Sequence, residues 1–155
     1  MICPIGSIIH IEKFVLRDGS KNKFFIVLDN TKDNAMTLLT MSTSNESGAY
    51  FNFNDIVIKH GAINDPNGKI LMYCIPQNIV IGTKNNYKFS KDTFFLAKHS
   101  FRELDCEQMH KYDIEIKDEV SKDELNNLVY ALYSSPYIQK SFKIKLEQIL
   151  ESLNT

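Results

Sequence analysis

The sequence lacks the residues and patterns that mark secreted, membrane or disulfide-rich proteins. Its 155 residues include only three cysteines, an odd number without CxxC spacing, so neither a disulfide framework nor a zinc knuckle is expected. The longest apolar runs, Phe24–Leu28 and Ile79–Ile81, are far shorter than the about 20 residues of a membrane-spanning helix. Met1–Ile9 lacks the basic and apolar regions of a secretory signal. We therefore expect a cytoplasmic protein that does not enter a membrane.

Motifs for metal and nucleotide binding are also missing. The four histidines stand apart, without HExxH or DxD, and the six glycines form neither GxGxxG nor GxxxxGK[ST]. No GxSxG sequence marks a nucleophilic serine. These absences predict a protein without a metal site or a cofactor.

Charge is nearly balanced over the whole chain but uneven along it. The formal net charge is −1, which argues against a polycation that coats nucleic acid. Residues 61–102 carry six basic and two acidic side chains, whereas residues 103–155 carry six basic and eleven acidic ones. The basic middle segment suggests an anionic partner. The acidic segment Glu103–Glu124 is a candidate to lie over the basic site as a mimic of RNA. The alternative is that these charges are scattered over solvated faces.

Hydrophobic patterning predicts strands first and helices afterwards. The predicted strands are Ile8–Val15, Phe24–Leu28 (buried on both faces), Met36–Met41, Tyr50–Phe53, Ile56–Ile58, Lys69–Ile75, Asn78–Ile81 and Thr93–Ala97. No helical segments separate them, so a parallel sheet with crossover helices is not expected, and a small antiparallel barrel fits better. The prediction is at least five strands before residue 100 and two helices after residue 120.

The last third has helical periodicity. Ser121 and Glu124 have capping-box spacing, and Leu125, Leu128, Val129 and Leu132 follow on one helical face. Pro136 is expected to open a second helix, whose apolar stripe is Ile138, Phe142, Leu146, Ile149, Leu150 and Leu153. The stripes are interpreted as core. The overall prediction is one α+β domain over residues 1–155, with a barrel (1–102), an acidic connector (103–120) and a helical hairpin (121–155).

Two segments gather polar groups that are capable of proton transfer. Arg17–Lys23 connects the first two predicted strands, and Lys98–Arg102 follows the last one. Metal-free cleavage of RNA requires a base, an acid, and cations or donors around the phosphorane. Asp18 or His99 can serve as base or acid. The plainer interpretation of Arg17–Lys23 is an ordinary solvated hairpin loop.

Several of these features together resemble the MazF/PemK (CcdB-like) toxin domain. They are Gly6-Ser7-Ile8-Ile9, the charged Asp18–Lys23 segment, the apolar strand after it, and Thr43-Ser44 after the third strand. The similarity is clearest over residues 6–44 and resumes weakly over Phe95–Leu104. It implies an SH3-like barrel that forms a homodimer, cleaves single-stranded RNA without metal, and is bound by a small antitoxin.

The resemblance also suggests roles for individual residues. Lys23 stands where the family has a phosphate-contacting arginine, Thr43 matches its hydroxyl donor, and His99 lies near its late acid/base pair. These three are the candidate catalytic residues. The candidate RNA-binding residues are Arg17, Asp18, Lys21, Ser44, Lys98 and Arg102.

The chain departs from the family pattern at three places. Lysine replaces the arginine and so lacks its bidentate fork, Phe24 replaces the proline that follows, and no acidic residue lies between Thr93 and Arg102. The sequence therefore predicts a toxin-like endoribonuclease. Two alternatives remain, namely a catalytically inactive barrel that binds RNA or protein and a structural phage or accessory protein.

Overall fold

The computed structural model describes residues 3–31, 36–44 and 56–155. Its strands are β1 (Ser7–Leu16), β2 (Gly19–Thr31), β3 (Met36–Thr43), β4 (Gly61–Asn64), β5 (Ile70–Ile75), β6 (Thr93–Leu96), β7 (Phe101–Asp105) and β8 (Ile114–Glu119). Its helices are α1 (Cys106–His110), α2 (Lys122–Tyr133) and α3 (Lys140–Leu153). The α+β class is confirmed, as are at least five strands before residue 100 and two helices after residue 120.

The eight strands form one antiparallel sheet. The strand order is β4-β5-β6-β3-β2-β1-β8, and β7 pairs with β3 beside this path. β3 pairs with β7 over Met36–Thr40 and with β6 through Ser42 and Thr43. Because β3 pairs with β7 over one part of its length and with β6 over another, the sheet divides into two parts at β3. Within the described ranges the sheet is not closed, so the predicted barrel closure is wrong.

Both faces of the central strands are buried. Ile8, Ile26 and Leu28 contribute to a large core with α2 and α3, whereas Ile9, Phe25 and Val27 contribute to a smaller core on the opposite face. This alternation confirms that Phe24–Leu28 lies in a strand covered on both sides. The large core also contains Leu125, Leu128, Val129, Leu132, Leu146 and Ile149, which confirms the helix stripes as core.

The two C-terminal helices differ in detail from the prediction. Ser121 caps α2 by accepting a hydrogen bond from the Glu124 N–H at 3.0 Å, as its spacing predicted. The Glu124 carboxylate instead contacts the side chains of His60 and Tyr73. α3 begins at Lys140 rather than at Pro136, because Ser135 is tied to the sheet through a hydrogen bond from its Oγ to the carbonyl oxygen of Ile70 at 2.5 Å.

Other local predictions also need correction. Asn78–Ile81 is not a strand; its backbone is fixed by the loop's own hydrogen bonds, from Asn78 N–H to Phe89 O and from Ile81 N–H to Tyr87 O. Ile56–Ile58 is likewise irregular, and the predicted strand Tyr50–Phe53 lies outside the described residues.

The segment 103–120 is more than a connector. It contains the end of β7, all of α1 and β8, and β8 pairs with β1 along the sheet. Among the helices described, none is long and apolar enough to span a membrane.

Asp118 on β8 fixes the loop between β5 and β6. Its carboxylate accepts hydrogen bonds from the N–H groups of Lys84, Asn85, Tyr87 and Glu119 at 2.7 to 3.1 Å. Burial alone would raise the pKa of this carboxyl, but the four donors outweigh it and the pKa lies below its ordinary value. A Cβ on Gly82 would lie 1.8 Å from Asp118 Oδ2, so only glycine allows this close approach.

Candidate functional site

The candidate site lies where β2 and β3 separate. β2 pairs with β3 only from Phe25 onwards, and residues Gly19–Phe24 pair with β1 alone. Beyond Met41, β3 turns away to pair with β6. The separation opens a gap between the two strands, and the side chains of both strands line it.

A cavity of about 420 Å³ occupies this gap, and we call it the cationic cavity. Its lining residues are Leu16, Arg17, Asp18, Gly19, Lys21, Lys23, Met41, Ser42, Thr43, Leu96, His99, Ser100 and Arg102. The structure thus brings together all three candidate catalytic residues and four of the six candidate RNA-binding residues. Among the described residues, this lining contains four cationic side chains and one carboxylate, which favours an anionic ligand.

Two of the predicted residues lie outside the cationic cavity. Ser44 lines an adjoining cavity, and Lys98 is exposed beside His99 without contributing to either lining.

The segment Arg17–Lys23 is not the loop that the sequence suggested. Only Arg17 and Asp18 form the turn, and β2 begins at Gly19 with a φ of 128°. Glycine adopts this angle without strain, so the hairpin closes in two residues. As a result Lys21 and Lys23 lie two positions apart on β2, opposite a register shift in β1 between Ile11 and Phe14, and both line the cavity.

Lys23 is a half-buried cation of the cavity. Burial lowers the pKa of its ammonium, and the positive charges of Lys21 and Arg102 lower it further. Its Nζ donates a hydrogen bond to the carbonyl oxygen of Ser42 at 3.4 Å. A bound anion would relieve the repulsion among the three cations, which is the electrostatic requirement for a phosphate site.

His99 and Arg102 are held by the turn between β6 and β7. The Nη1 of Arg102 donates to the carbonyl oxygens of His99 and Phe101, both at 2.8 Å. His99 has a φ of 69°, in the left-handed region that few non-glycine residues adopt. The turn is anchored to β3, because Met41 N–H donates to Ser100 O at 2.7 Å and the hydroxyls of Ser100 and Thr40 lie 3.0 Å apart.

Thr43 lines the cationic cavity at the end of β3. Its half-buried hydroxyl donates to the carbonyl oxygen of Ser44 at 3.5 Å, a long contact that a stronger acceptor can replace.

The adjoining cavity was missed by sequence reasoning. Its volume is about 300 Å³, and we call it the aromatic cavity because Phe24 and Phe89 line it. It shares Lys21, Lys23, Ser42 and Thr43 with the cationic cavity. In the sequence, the one indication of this cavity was Phe24, which stands where the MazF/PemK family has proline. The contact between Phe24 and Phe89 depends on tertiary structure, so local sequence patterns did not predict it.

The acidic segment does not line the cationic cavity. Glu103 pairs with Lys145, and Glu119 pairs with Lys84 at 3.0 Å. Among the residues that the structure describes, Asp18 is the only carboxylate in the lining. The expected covering of the basic site by Glu103–Glu124 is therefore not seen in the residues that the structure describes.

Metal-ligand sets are equally missing from the part of the chain with assigned structure. Within it, no three His, Cys, Asp or Glu side chains gather closely enough to hold a metal ion.

No family model matches the sequence, and no curated protein is significantly similar to it. The functional assignment therefore rests on the chemistry of the two cavities.

Proposed function

We propose that the protein is a toxin-like endoribonuclease that cleaves single-stranded RNA without a metal ion. The observation that carries this proposal is the cationic cavity, where Asp18 and His99 share a lining with Arg17, Lys21, Lys23 and Arg102. Such a set provides proton-transfer groups together with cations for a phosphodiester.

The proposed reaction begins with attack of a ribose 2′-oxygen on the adjacent phosphorus. The Asp18 carboxylate removes the 2′-OH proton, and the protonated imidazole of His99 gives a proton to the leaving 5′-oxygen. The P–O2′ bond forms as the P–O5′ bond breaks, which yields a 2′,3′-cyclic phosphate and a 5′-hydroxyl. Carboxylate and imidazole side chains commonly act as general bases and acids, so these residue types suit the two roles.

Lys23 and Thr43 would stabilise the transition state. Negative charge builds on the non-bridging oxygens, where the Lys23 ammonium supplies a positive charge and the Thr43 hydroxyl a hydrogen bond. Lys21, Arg17 and Arg102 would hold the flanking phosphates, with Ser44 and Lys98 as further contacts.

The proposal extends to fold family, location and partners. The consecutive antiparallel strands β1, β2 and β3 and the division of β3 support an open variant of the SH3-like architecture. We further propose a cytoplasmic homodimer whose activity is controlled by a small antitoxin, in keeping with the resemblance over residues 6–44.

A second candidate function is an inactive module that binds RNA or protein. The observation in its favour is that lysine replaces the family's arginine at position 23 and that no carboxylate lies between Thr93 and Arg102. Such a module would bind through the same cations without cleaving.

The deciding experiment is incubation of purified protein with mixed RNA in the presence of EDTA. Discrete fragments that end in 2′,3′-cyclic phosphate are expected, and they should disappear with the His99→Ala variant prepared in the same way. Intact RNA with the wild-type protein would reject the nuclease, and RNA binding under those conditions would support the module. Equal cleavage by the variant would assign the activity to another site or to a contaminant.

A further inference from the structure

The aromatic cavity differs in chemistry from the cationic cavity beside it. Both include Lys21 and Lys23, but the aromatic cavity adds the rings of Phe24 and Phe89 and the polar side chains of Asn22, Ser44, Ser90, Lys91 and Thr93. A ligand that spans both cavities must therefore combine an anionic group with a flat or apolar one.

Phe24 packs against other rings at this boundary. Its ring centroid lies 5.4 Å from that of Phe89 in an edge-to-face arrangement, and 4.8 Å from that of His10. Tyr87 closes the cluster at 6.2 Å from Phe24 and 5.4 Å from Phe89. Phe89 is 2% exposed, whereas Phe24 is half-buried and borders the cavity.

The loop that carries Tyr87 and Phe89 is itself fixed. Tyr87 N–H donates to Asp118 Oδ2 at 3.1 Å, and Phe89 O accepts from Asn78 N–H at 2.9 Å. The aromatic surface therefore needs no ordering when a ligand binds, which lowers the entropic cost of association.

We propose that the aromatic cavity binds the base of a nucleotide whose phosphate is bound by Lys21 and Lys23, with the base stacked against Phe24. This inference rests on the proposed function, because it takes single-stranded RNA as the ligand. Single-strand binding sites combine a cationic groove with rings on which bases stack. The two adjoining cavities combine these features, since both are lined by Lys21 and Lys23 and one also by Phe24.

The cations distinguish this ligand from an apolar peptide. Lys21 and Lys23 border both cavities, and an apolar side chain in the aromatic cavity would leave them without an anionic partner from the ligand. The hydroxyls of Ser44 and Ser90 also suit the polar edge of a base better than they suit an aliphatic side chain.

The test measures binding rather than cleavage. A fluorescein-labelled 2′-O-methyl oligoadenylate cannot be cut by attack of its 2′-oxygen, and an abasic oligonucleotide of equal length retains the phosphates without the bases. Phe24→Leu should weaken binding of the oligoadenylate about tenfold and leave binding of the abasic strand unchanged, since stacking on one ring is lost. Phe24→Tyr keeps the ring and should bind as the wild type does.

Phe142→Leu is the matched control, because Phe142 is another half-buried phenylalanine, which stacks on Phe101 in the helical layer. Thermal melting identifies any variant that has unfolded. If Phe24→Leu is unfolded, the subsite is tested by comparing Phe24→Tyr with the wild type, and the oligoadenylate with the abasic strand. Equal affinity of the folded Phe24→Leu variant, or of the wild type for both strands, would overturn the subsite. Failure of the wild type to bind either strand would reject the subsite together with RNA as the ligand, whereas binding without cleavage of ordinary RNA would reject only the nuclease.

Discussion

The ammonium group of Lys23 crosses the gap between β2 and β3 and donates a hydrogen bond to the carbonyl oxygen of Ser42 at 3.4 Å. A carbonyl is a neutral acceptor, so this contact positions the lysine without neutralising its charge. Burial lowers the pKa of Lys23, and the positive charges of Lys21 and Arg102 lower it further, so a bound anion would stabilise this group of cations.

Substitutions of Lys23 should distinguish the contribution of its positive charge to cleavage from the contribution of its hydrogen-bond geometry. Lys23→Ala is expected to reduce RNA cleavage by on the order of a hundredfold or more, because one preorganised donor to the phosphorane is lost. Lys23→Arg should keep or raise the rate, since guanidinium binds phosphate with a bidentate fork. Rates are measured on RNA in EDTA, with Lys140→Ala at an exposed helix position as the control. Unchanged cleavage by Lys23→Ala would place the reaction elsewhere.

Removal of the His99 imidazole should abolish cleavage while the protein stays folded. His99→Ala tests the chemistry, and His99→Asn tests it with a residue that tolerates the left-handed conformation at φ 69°. Both variants should be inactive, with His99→Asn melting closer to the wild type than His99→Ala does. Cleavage by His99→Asn at the wild-type rate would show that the turn matters and the imidazole does not.

RNA affinity should fall steeply as salt concentration rises. Each phosphate contact on a single strand contributes about 0.7 to the slope of log affinity against log salt. Lys21→Gln is therefore expected to reduce that slope by about 0.7. Fluorescence anisotropy over a range of salt concentrations measures it. A slope of zero in the wild type would instead favour the protein-binding module.

Asp118→Asn should destabilise the protein at neutral pH by roughly 1 to 3 kcal/mol, because a buried carboxylate with four N–H donors is replaced by an amide. The pKa of Asp118 is lowered on folding, so the stability that its ionised form contributes is present above the unfolded pKa and is lost as pH falls through the folded pKa. The difference in free energy of unfolding between the wild type and Asp118→Asn should therefore be constant near neutrality and shrink below about pH 4. Urea unfolding at several pH values measures it, and a difference that persists unchanged in acid would contradict the role of the carboxylate.

Local patterns predicted the elements whose causes are local. The apolar run Phe24–Leu28, the cap at Ser121 and the helix stripe from Leu125 to Leu132 depend on residues close together in the chain, and each lies where its pattern indicated. Pro136 shows the limit of this reasoning. Its position favoured a helix start, but the tie between Ser135 and Ile70, 65 residues apart, delayed the helix to Lys140.

By itself, the sequence determined the α+β class, the two-sided burial of β2, the two amphipathic helices and the set of candidate polar residues. Tertiary structure alone decided that β3 divides between β6 and β7, that β8 adds to β1, and that Phe89 meets Phe24. The physical reason is that strand pairing and ring packing join residues far apart in the chain, whereas periodicity and capping act within a few residues. Because the cationic and aromatic cavities lie where β2 and β3 separate, their shapes follow from those long-range pairings.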